Sequence, residues 1–292
     1  MTAYLWPIVF ALFVWWFSTG AIIYLDGLPV RTFKWSMLGA TALFGAALYG
    51  LAVSSGDTSV QGAYIAFASA LAAWAWHEIS FYMGYVTGPR KHACREGCSG
   101  WAHLGHALQV SLWHELAIIA SFLVVAALTW GGANQIGLWT FVILWWMHES
   151  ARLNVVLGVR NVNAHFLPPH LAYLKSFLNQ KPMNLLFPIS VTVSTIICAV
   201  LGTEAALATD PFEQAGFTFL ATMMTLAIVE HWFLVLPLPA EQMWSWSLKS
   251  RDMKKRPHGM RQENAACNDV LHRHDSAKQH SPAPIPGLGS VH

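Results

Sequence analysis

The sequence predicts an all-α, polytopic membrane protein with about seven transmembrane helices in one bundle. Hydrophobic residues make up 55% of the chain and charged residues only 11%, whereas a soluble domain carries about 25% charged residues. Long apolar stretches recur, and each approaches the roughly 20 residues that cross the hydrocarbon of a bilayer. The sequence contains no phosphate-binding loop, nucleophile elbow or nucleotide motif. We therefore expect contact with membrane lipid and none with nucleic acid.

Seven apolar stretches are the candidate spans. The first starts near the beginning of the chain without a basic region or a small-residue cleavage site, so we expect a retained helix rather than a signal peptide. In the second span Ala42, Ala46 and Gly50 recur at four-residue spacing, which lets two helices approach closely. Ala66 and Ala70 do the same in the third. The predicted spans cover residues 4–25, 35–54, 60–86, 104–130, 136–158, 186–205 and 214–238.

The basic residues predict how the bundle is oriented. Every Lys and Arg lies near the connections that follow spans one, three and five, or after span seven. The connections 55–59, 131–135 and 206–213 contain none. Because cytoplasmic loops carry the excess of Lys and Arg, the N-terminus is predicted to be periplasmic and the C-terminus cytoplasmic.

Two segments are expected to lie outside the spans. Leucines recur on one helical face after Pro168 and Pro169, which predicts a short amphipathic helix over about 167–179 at the cytoplasmic membrane surface. The last part of the chain is basic and then rich in His, Pro, Ser and Gly. We therefore expect a transmembrane domain over 1–246 and a disordered cytoplasmic tail over 247–292.

Ionisable side chains inside four of the spans are the main functional signal. A charge at bilayer depth costs roughly 2.5–3.5 kcal/mol on insertion scales, so it persists only with a partner or a task. At 1.5 Å per residue, four His-Glu or Glu-His pairs fall within about one helical turn of a common level. Together with His106 they form what we name the His/Glu belt. Its members, the candidate pigment- or metal-binding residues, are His77, Glu78, His106, His114, Glu115, His148, Glu149, Glu230 and His231.

Helical geometry restricts what the belt can do. Adjacent residues diverge by about 100°, so the His and Glu of one pair flank a centre rather than both pointing at it. His103, His106 and His114 return to nearly the same side of span four, which predicts a stripe of histidines along this helix, starting at its cytoplasmic end. Glu149 and Arg152 are i, i+3 neighbours and are predicted to form a structural ion pair.

Several functions are compatible with such a belt. Protonated Glu and neutral His could simply hydrogen-bond between helices and hold the bundle in register. Carboxylates and imidazoles are also the ligands of a di-iron centre, although the usual Glu-x-x-His spacing is missing. A histidine could instead be the axial ligand of a tetrapyrrole, with tryptophans against the macrocycle. A proton path is the fourth alternative.

A cysteine pair lies in the loop between spans three and four. Cys94 and Cys98 are separated by three residues and follow His92. This loop is predicted to face the cytoplasm, where thiols stay reduced. Because the loop alone supplies too few ligands for a metal or a cluster, the sequence favours two free thiols.

Five segments carry a family resemblance: RLNVVLGVRN (152–161), HFLPPHLAYL (165–174), HEISF (77–81), TGPR (87–90) and HELA (114–117). They resemble the PuhE family of photosynthetic complex assembly proteins. The resemblance covers residues 1–245 and is most specific in the first two segments. The resemblance implies a multi-pass protein of the bacterial cytoplasmic (inner) membrane in an anoxygenic phototroph. It brings no established catalytic residues to this chain.

The resemblance further implies a role in assembling the photosynthetic reaction centre and light-harvesting complex, or in adjusting bacteriochlorophyll supply. The implied partners are subunits of those complexes and pigment-synthesis enzymes. We therefore expect an assembly factor rather than an enzyme, whose His/Glu belt binds bacteriochlorophyll, a tetrapyrrole precursor or a metal. The alternative is a membrane-embedded oxidoreductase with a His/Glu-ligated di-iron centre.

Overall fold

The computed structural model describes residues 2–95, 97–162, 164, 167–238 and 240–252. Regular secondary structure in these ranges is helical, apart from an isolated bridge between Val159 and Gln180. Short 3₁₀ helices cover Val30–Thr32, Pro169–Phe177 and Ala240–Trp244. The α-helices are α1 (Thr2–Gly27), α2 (Phe33–Ser54), α3 (Val60–Tyr82), α4 (Gly100–Gln109), α5 (Leu112–Leu128), α6 (Ile136–Leu157), α7 (Leu186–Leu207), α8 (Pro211–Val235) and α9 (Ser245–Asp252).

The all-helical fold class is confirmed, and several helices are suited to a bilayer. By length and hydropathy four described helices could cross a membrane: α1, α2 with the 3₁₀ turn before it, α7 and α8. A fifth crossing is available if α4 and α5 form one bent span. Helices α3 and α6 have 23 and 22 residues, but they carry polar His/Glu pairs and are not among these five. Seven crossings therefore stay a prediction.

Helix α3 lies at the centre of the bundle. On one side it packs against α1, α6 and α8, where Phe67 stacks on Phe219 with ring centroids 4.3 Å apart. On the other side it packs against α2, α5 and α6 around Trp74, Ile118 and Phe141. The exposed side chains of the outer helices are largely apolar, as lipid contact requires.

Small residues make the α2–α3 contact close, though partly at positions other than those predicted. Ala66 and Ala70 of α3 are buried as expected. Ala42 and Ala46 are exposed, whereas Gly50 lies against Ser69 of α3 as expected and Ala47, outside the predicted row, is buried. Four-residue spacing identified a row of small residues without saying which row faces the neighbouring helix, because α2 is apolar on all sides.

The predicted fourth span is broken. Instead of one helix over 104–130, α4 and α5 meet at 61°. The amide of His114 donates its hydrogen bond to the Thr87 carbonyl at 2.9 Å rather than to the preceding turn. Gly88 lies so close to the backbone of Gln109–Ser111 that it has no room for a Cβ. The loop after α3 thus holds the break by backbone contact.

The segments outside the long helices also differ from expectation. The stretch predicted to be an amphipathic helix over 167–179 is a 3₁₀ helix over Pro169–Phe177. Its buried Leu171, Leu174 and Phe177 pack with Ala107 and Val110 of the protein itself. The apolar stripe therefore serves an internal contact.

The predicted start of the tail at 247 falls inside helix α9. The chain divides into two units, 1–248 and 249–292. Ahead of α9, Trp244 is buried and its indole N–H donates to the Trp16 carbonyl at 3.0 Å, which fixes this part of the first unit. The rest of the predicted tail, 253–292, lies outside the described residues.

Replacing Gly88 tests whether its close approach holds the break between α4 and α5. We expect Gly88→Ala to lower the unfolding temperature of the detergent-purified protein, because an added Cβ would overpack the contact at a cost of about 1–3 kcal/mol. Gly105→Ala is the matched control, since a Cβ on Gly105 of α4 meets no atom within 4 Å. Equal unfolding temperatures for the two variants would contradict this role of Gly88.

Candidate functional site

Side chains from α3, α5 and α6 converge inside the bundle. Glu78, His114 and His148 each offer one ligand atom, and these atoms all lie within 4.8 Å of one another. The Nδ1 atom of His148 is 3.4 Å from Oε1 of Glu78. The rings of His114 and His148 have centroids 5.4 Å apart. One residue from each of three helices thus contributes to a set with the dimensions of a metal site.

A second set overlaps the first. Glu115, His148 and Glu149 also offer ligand atoms within 4.8 Å of one another. We name the five residues of the two sets the His/Glu cluster: Glu78, His114, Glu115, His148 and Glu149. Because the helix breaks before residue 112, Glu115 stands in the first turn of α5, where the helix dipole favours a carboxylate.

Arg152 supplies the positive charge beside this cluster. Its guanidinium forms an ion pair with Glu115, and Nη2 lies 3.8 Å from Oε2 of Glu149. The predicted Glu149–Arg152 pair is therefore the longer of two contacts, and the closer partner comes from another helix. The cluster holds three carboxylates, two of which pair with Arg152, so cluster and guanidinium together carry a charge of −2 when all are ionised and both histidines are neutral.

Several polar atoms of the cluster have no hydrogen-bond partner among the described protein groups. His114 is only 1% exposed, and neither of its ring nitrogens is paired. The Nε2 atom of His148 and Oε1 of Glu149 are also unpaired. Buried polar groups in folded proteins are nearly always satisfied by protein, water or an ion. The cluster therefore has free lone pairs suited to a bound metal.

The Glu230–His231 pair has protein partners instead. The indole N–H of Trp15 donates to Glu230 at 2.9 Å. The His231 Nδ1 lies 2.9 Å from the Ala227 carbonyl, which can only accept, so Nδ1 carries the proton. Nε2 is then the acceptor for the Ser150 hydroxyl at 3.0 Å. Both nitrogens of His231 are therefore engaged, one within α8 and the other with Ser150 of α6.

His77 borders the cluster without belonging to either ligand set, its ring centroid 6.2 Å from that of His114, whereas His106 lies apart from the cluster. His77 is fully buried with both nitrogens unpaired, but its ring is surrounded by aromatic side chains, among them Trp74, Trp76 and Phe141. His106 lies on α4, beyond the break, and contacts Cys94. The predicted histidine stripe is interrupted because α4 turns away from α5.

A cavity of about 540 Å³ adjoins the His/Glu cluster. Its polar wall includes Glu78, His114 and His148, and most of the remaining wall is aliphatic or aromatic. This volume lies within the roughly 300–1,000 Å³ typical of small-molecule sites. The structure therefore combines an apolar chamber with metal-binding side chains on one side.

The tryptophans of this cavity were missed by sequence reasoning. Trp113, Trp146 and Trp232, next to the pairs, are 50%, 47% and 41% exposed and face away from the core. The cavity is lined instead by Trp15 and Trp74, with Trp244. Helical spacing gave a signal for Trp74, because it lies four residues before Glu78 and therefore on the same side of α3.

Comparison with known proteins identifies the family. The model of a family described as "Protein of unknown function (DUF3623)" matches residues 1–255. The chain belongs to the DUF3623 family. It is also similar to an uncharacterized 30.4 kDa protein in the puhA 5′ region of Rhodobacter capsulatus, with 40% identity over 245 residues, 82% of this chain and 89% of the relative. No solved structure is significantly similar to the chain.

The ion pairs of Arg152 can be tested by removing the charge. We expect Arg152→Met to lower the unfolding temperature in detergent, because Glu115 loses its counter-ion, and breaking charged contacts costs about 1.5–3 kcal/mol. A second change, Glu115→Gln, should restore part of the loss. Arg160→Met is the control, since Arg160 is exposed. A double variant no more stable than Arg152→Met would contradict the pairing.

Proposed function

We propose that this DUF3623 protein acts in assembling the photosynthetic reaction centre and light-harvesting complex in the bacterial inner membrane, and that it handles a tetrapyrrole pigment or precursor. The assembly role is supported by the relative in the puhA 5′ region. It is also supported by the resemblance of residues 1–245 to PuhE-type assembly proteins. The proposed partners are subunits of these complexes and pigment-synthesis enzymes.

The proposed topology has seven crossings, with α3 and α6 added to the four or five apolar ones. The distribution of Lys and Arg supports a periplasmic N-terminus and a cytoplasmic C-terminus. Helices α3 and α6 have the length to cross, and their polar side chains point into the bundle at the His/Glu cluster. Intramembrane ionisable residues that face a bundle interior commonly mark a functional site.

One observation carries the proposal for the site: unpaired imidazole nitrogens border an apolar cavity inside the bundle. A tetrapyrrole combines a large apolar ring with a central metal that accepts an axial nitrogen ligand. His114 and His148 would supply that nitrogen, and the aliphatic and aromatic wall with Trp74 would contact the ring. Glu115 and Glu149 would stay paired with Arg152.

A second candidate is a membrane oxidoreductase with a di-iron centre. It is favoured by the two overlapping ligand sets that share His148, and by the net negative charge, which attracts divalent cations. Carboxylate and imidazole ligands suit iron. When bound, such a centre would supply redox chemistry, and this chain's own residues would hold the metals and exclude water from the cavity.

An absorption spectrum and a metal analysis of the detergent-purified protein separate the two candidates. Protein from a phototrophically grown host should carry red and near-infrared bands of bacteriochlorophyll or a precursor, and His114→Ala and His148→Ala should lose most of them. His231→Gln is the matched control, because both nitrogens of His231 are already engaged. Stoichiometric iron without these bands would favour the oxidoreductase. Unchanged loading in every variant would contradict a site at the cluster.

A deletion strain tests the assembly role separately from the site. We expect loss of assembled reaction-centre and light-harvesting complexes, measured by near-infrared absorption of membranes, together with accumulation of pigment intermediates in cell extracts. If the cluster handles pigment, complementation with the His148→Ala gene should neither restore the complexes nor remove the accumulated intermediates. Normal complexes in the deletion strain would contradict an assembly function.

A further inference from the structure

Outside the His/Glu cluster, the structure brings together three other metal-ligating side chains. The Sγ atoms of Cys94 and Cys98 lie 3.6 and 3.3 Å from Nδ1 of His106. All three ligand atoms are within 4.8 Å of one another. The cysteines belong to the loop before α4 and the histidine to α4 itself. From the sequence, ligands were considered in the loop alone, so His106, which α4 contributes, was missed.

We propose that Cys94, Cys98 and His106 bind a zinc ion, with a solvent molecule as the fourth ligand. Tetrahedral zinc has bonds of about 2.3 Å to sulfur and about 2.0–2.1 Å to imidazole nitrogen, which places sulfur and nitrogen ligands roughly 3.5 Å apart. The two observed distances of 3.3 and 3.6 Å match this spacing. Both sulfur–nitrogen distances are therefore those expected for ligands of one zinc ion.

Hydrogen bonding explains the positions of these three side chains less well than a shared metal ion does. A neutral imidazole has one nitrogen that accepts, and its single lone pair takes one good hydrogen bond. Two thiols nevertheless converge on the same Nδ1 atom. In a metal site this convergence follows directly, because the nitrogen and both sulfurs surround one ion. Two thiolates would also neutralise the charge of the zinc ion.

The surrounding backbone holds this loop in place. The amide of Cys94 donates to the Ser176 hydroxyl at 2.8 Å, which ties the loop to the 3₁₀ helix Pro169–Phe177. The amide of Cys98 donates to the Arg95 carbonyl at 3.1 Å, and Gly97 has a positive φ of 78°, which glycine adopts without steric strain. These backbone contacts position the loop that carries both cysteines.

Zinc suits this ligand set better than the alternatives. An iron–sulfur cluster is held by four protein ligands, and the described cluster has three. In the proposed orientation the loop faces the cytoplasm, where thiols are kept reduced and a disulfide is rare. A zinc ion here would fasten the loop to α4, on the cytoplasmic side of the break that places His114.

Cobalt substitution tests the site, because a thiolate–Co²⁺ charge-transfer band reports sulfur ligands and cannot come from the His/Glu cluster. The purified full-length protein should contain about one zinc per chain, and Co²⁺ should give this band in wild type. Cys94→Ser, Cys98→Ser and His106→Gln should lose the zinc and weaken or abolish the band. Cys198→Ser is the matched control, since Cys198 lies on α7 next to Thr225, and it should keep both.

A measurement on the wild-type protein covers the case in which a variant fails to fold. Zinc should protect Cys94 and Cys98 from alkylation by a maleimide, as read by peptide mass spectrometry, and a chelator should remove the protection. Retention of zinc by the Cys94→Ser and Cys98→Ser variants would overturn the proposal. A Cys94–Cys98 disulfide in freshly isolated protein, or equal alkylation with and without chelator, would also overturn it.

Discussion

Carboxylates and a guanidinium that lie inside an apolar helical bundle must balance one another, because each loses its hydration there. In this protein the balance is made by Arg152 of α6, which faces Glu115 of α5 and Glu149 of its own helix. The pairing fixes how α5 and α6 are rotated toward each other. It thereby sets the direction of His114 and His148, which lie next to the paired residues.

Buried ion pairs of this kind add little to stability, since the desolvation cost offsets much of the attraction. Their larger effect here is on the relative orientation of helices α5 and α6. The belt divides into residues whose polar atoms are paired with side chains outside the belt, such as His231 with Ser150, and residues that keep unpaired atoms at the cavity, such as His114. A purely structural belt would leave few nitrogens free. The division itself favours a ligand at the cluster.

The break between α4 and α5 is the second determinant of the site. It turns α4 away and places the His114–Glu115 pair in the first turn of a new helix. The loop after α3 produces it through the Thr87 carbonyl and the close approach of Gly88. A substitution in this loop would therefore change the geometry of the cluster without altering any of its five residues.

The sequence predicts the helices well because their apolar runs are long and their ends fall at polar connections. It also predicts which residues are candidates, since His and Glu are conspicuous within apolar spans. It could not predict the break, because residues 110 and 111 are Val and Ser, with neither Gly nor Pro to interrupt a helix. The cause is a backbone contact with a loop distant in sequence.

Helix rotation was equally hidden from the sequence. Where a helix is apolar on every side, periodicity does not indicate its inward face, so Ala42 was expected inside and is exposed. For the same reason the sequence does not show which members of the belt converge. The structure separates Glu230, paired with Trp15, and His106, paired with cysteines, from the five residues that converge.

A cryo-EM structure of the protein in a lipid nanodisc tests the central claim most directly. It should show the His148 Nδ1 atom near Glu78 Oε1, close to the 3.4 Å found here, with Glu78, His114 and His148 bordering one cofactor or metal density. Side chains of these three residues turned toward lipid, or toward unrelated parts of the bundle, would contradict the account.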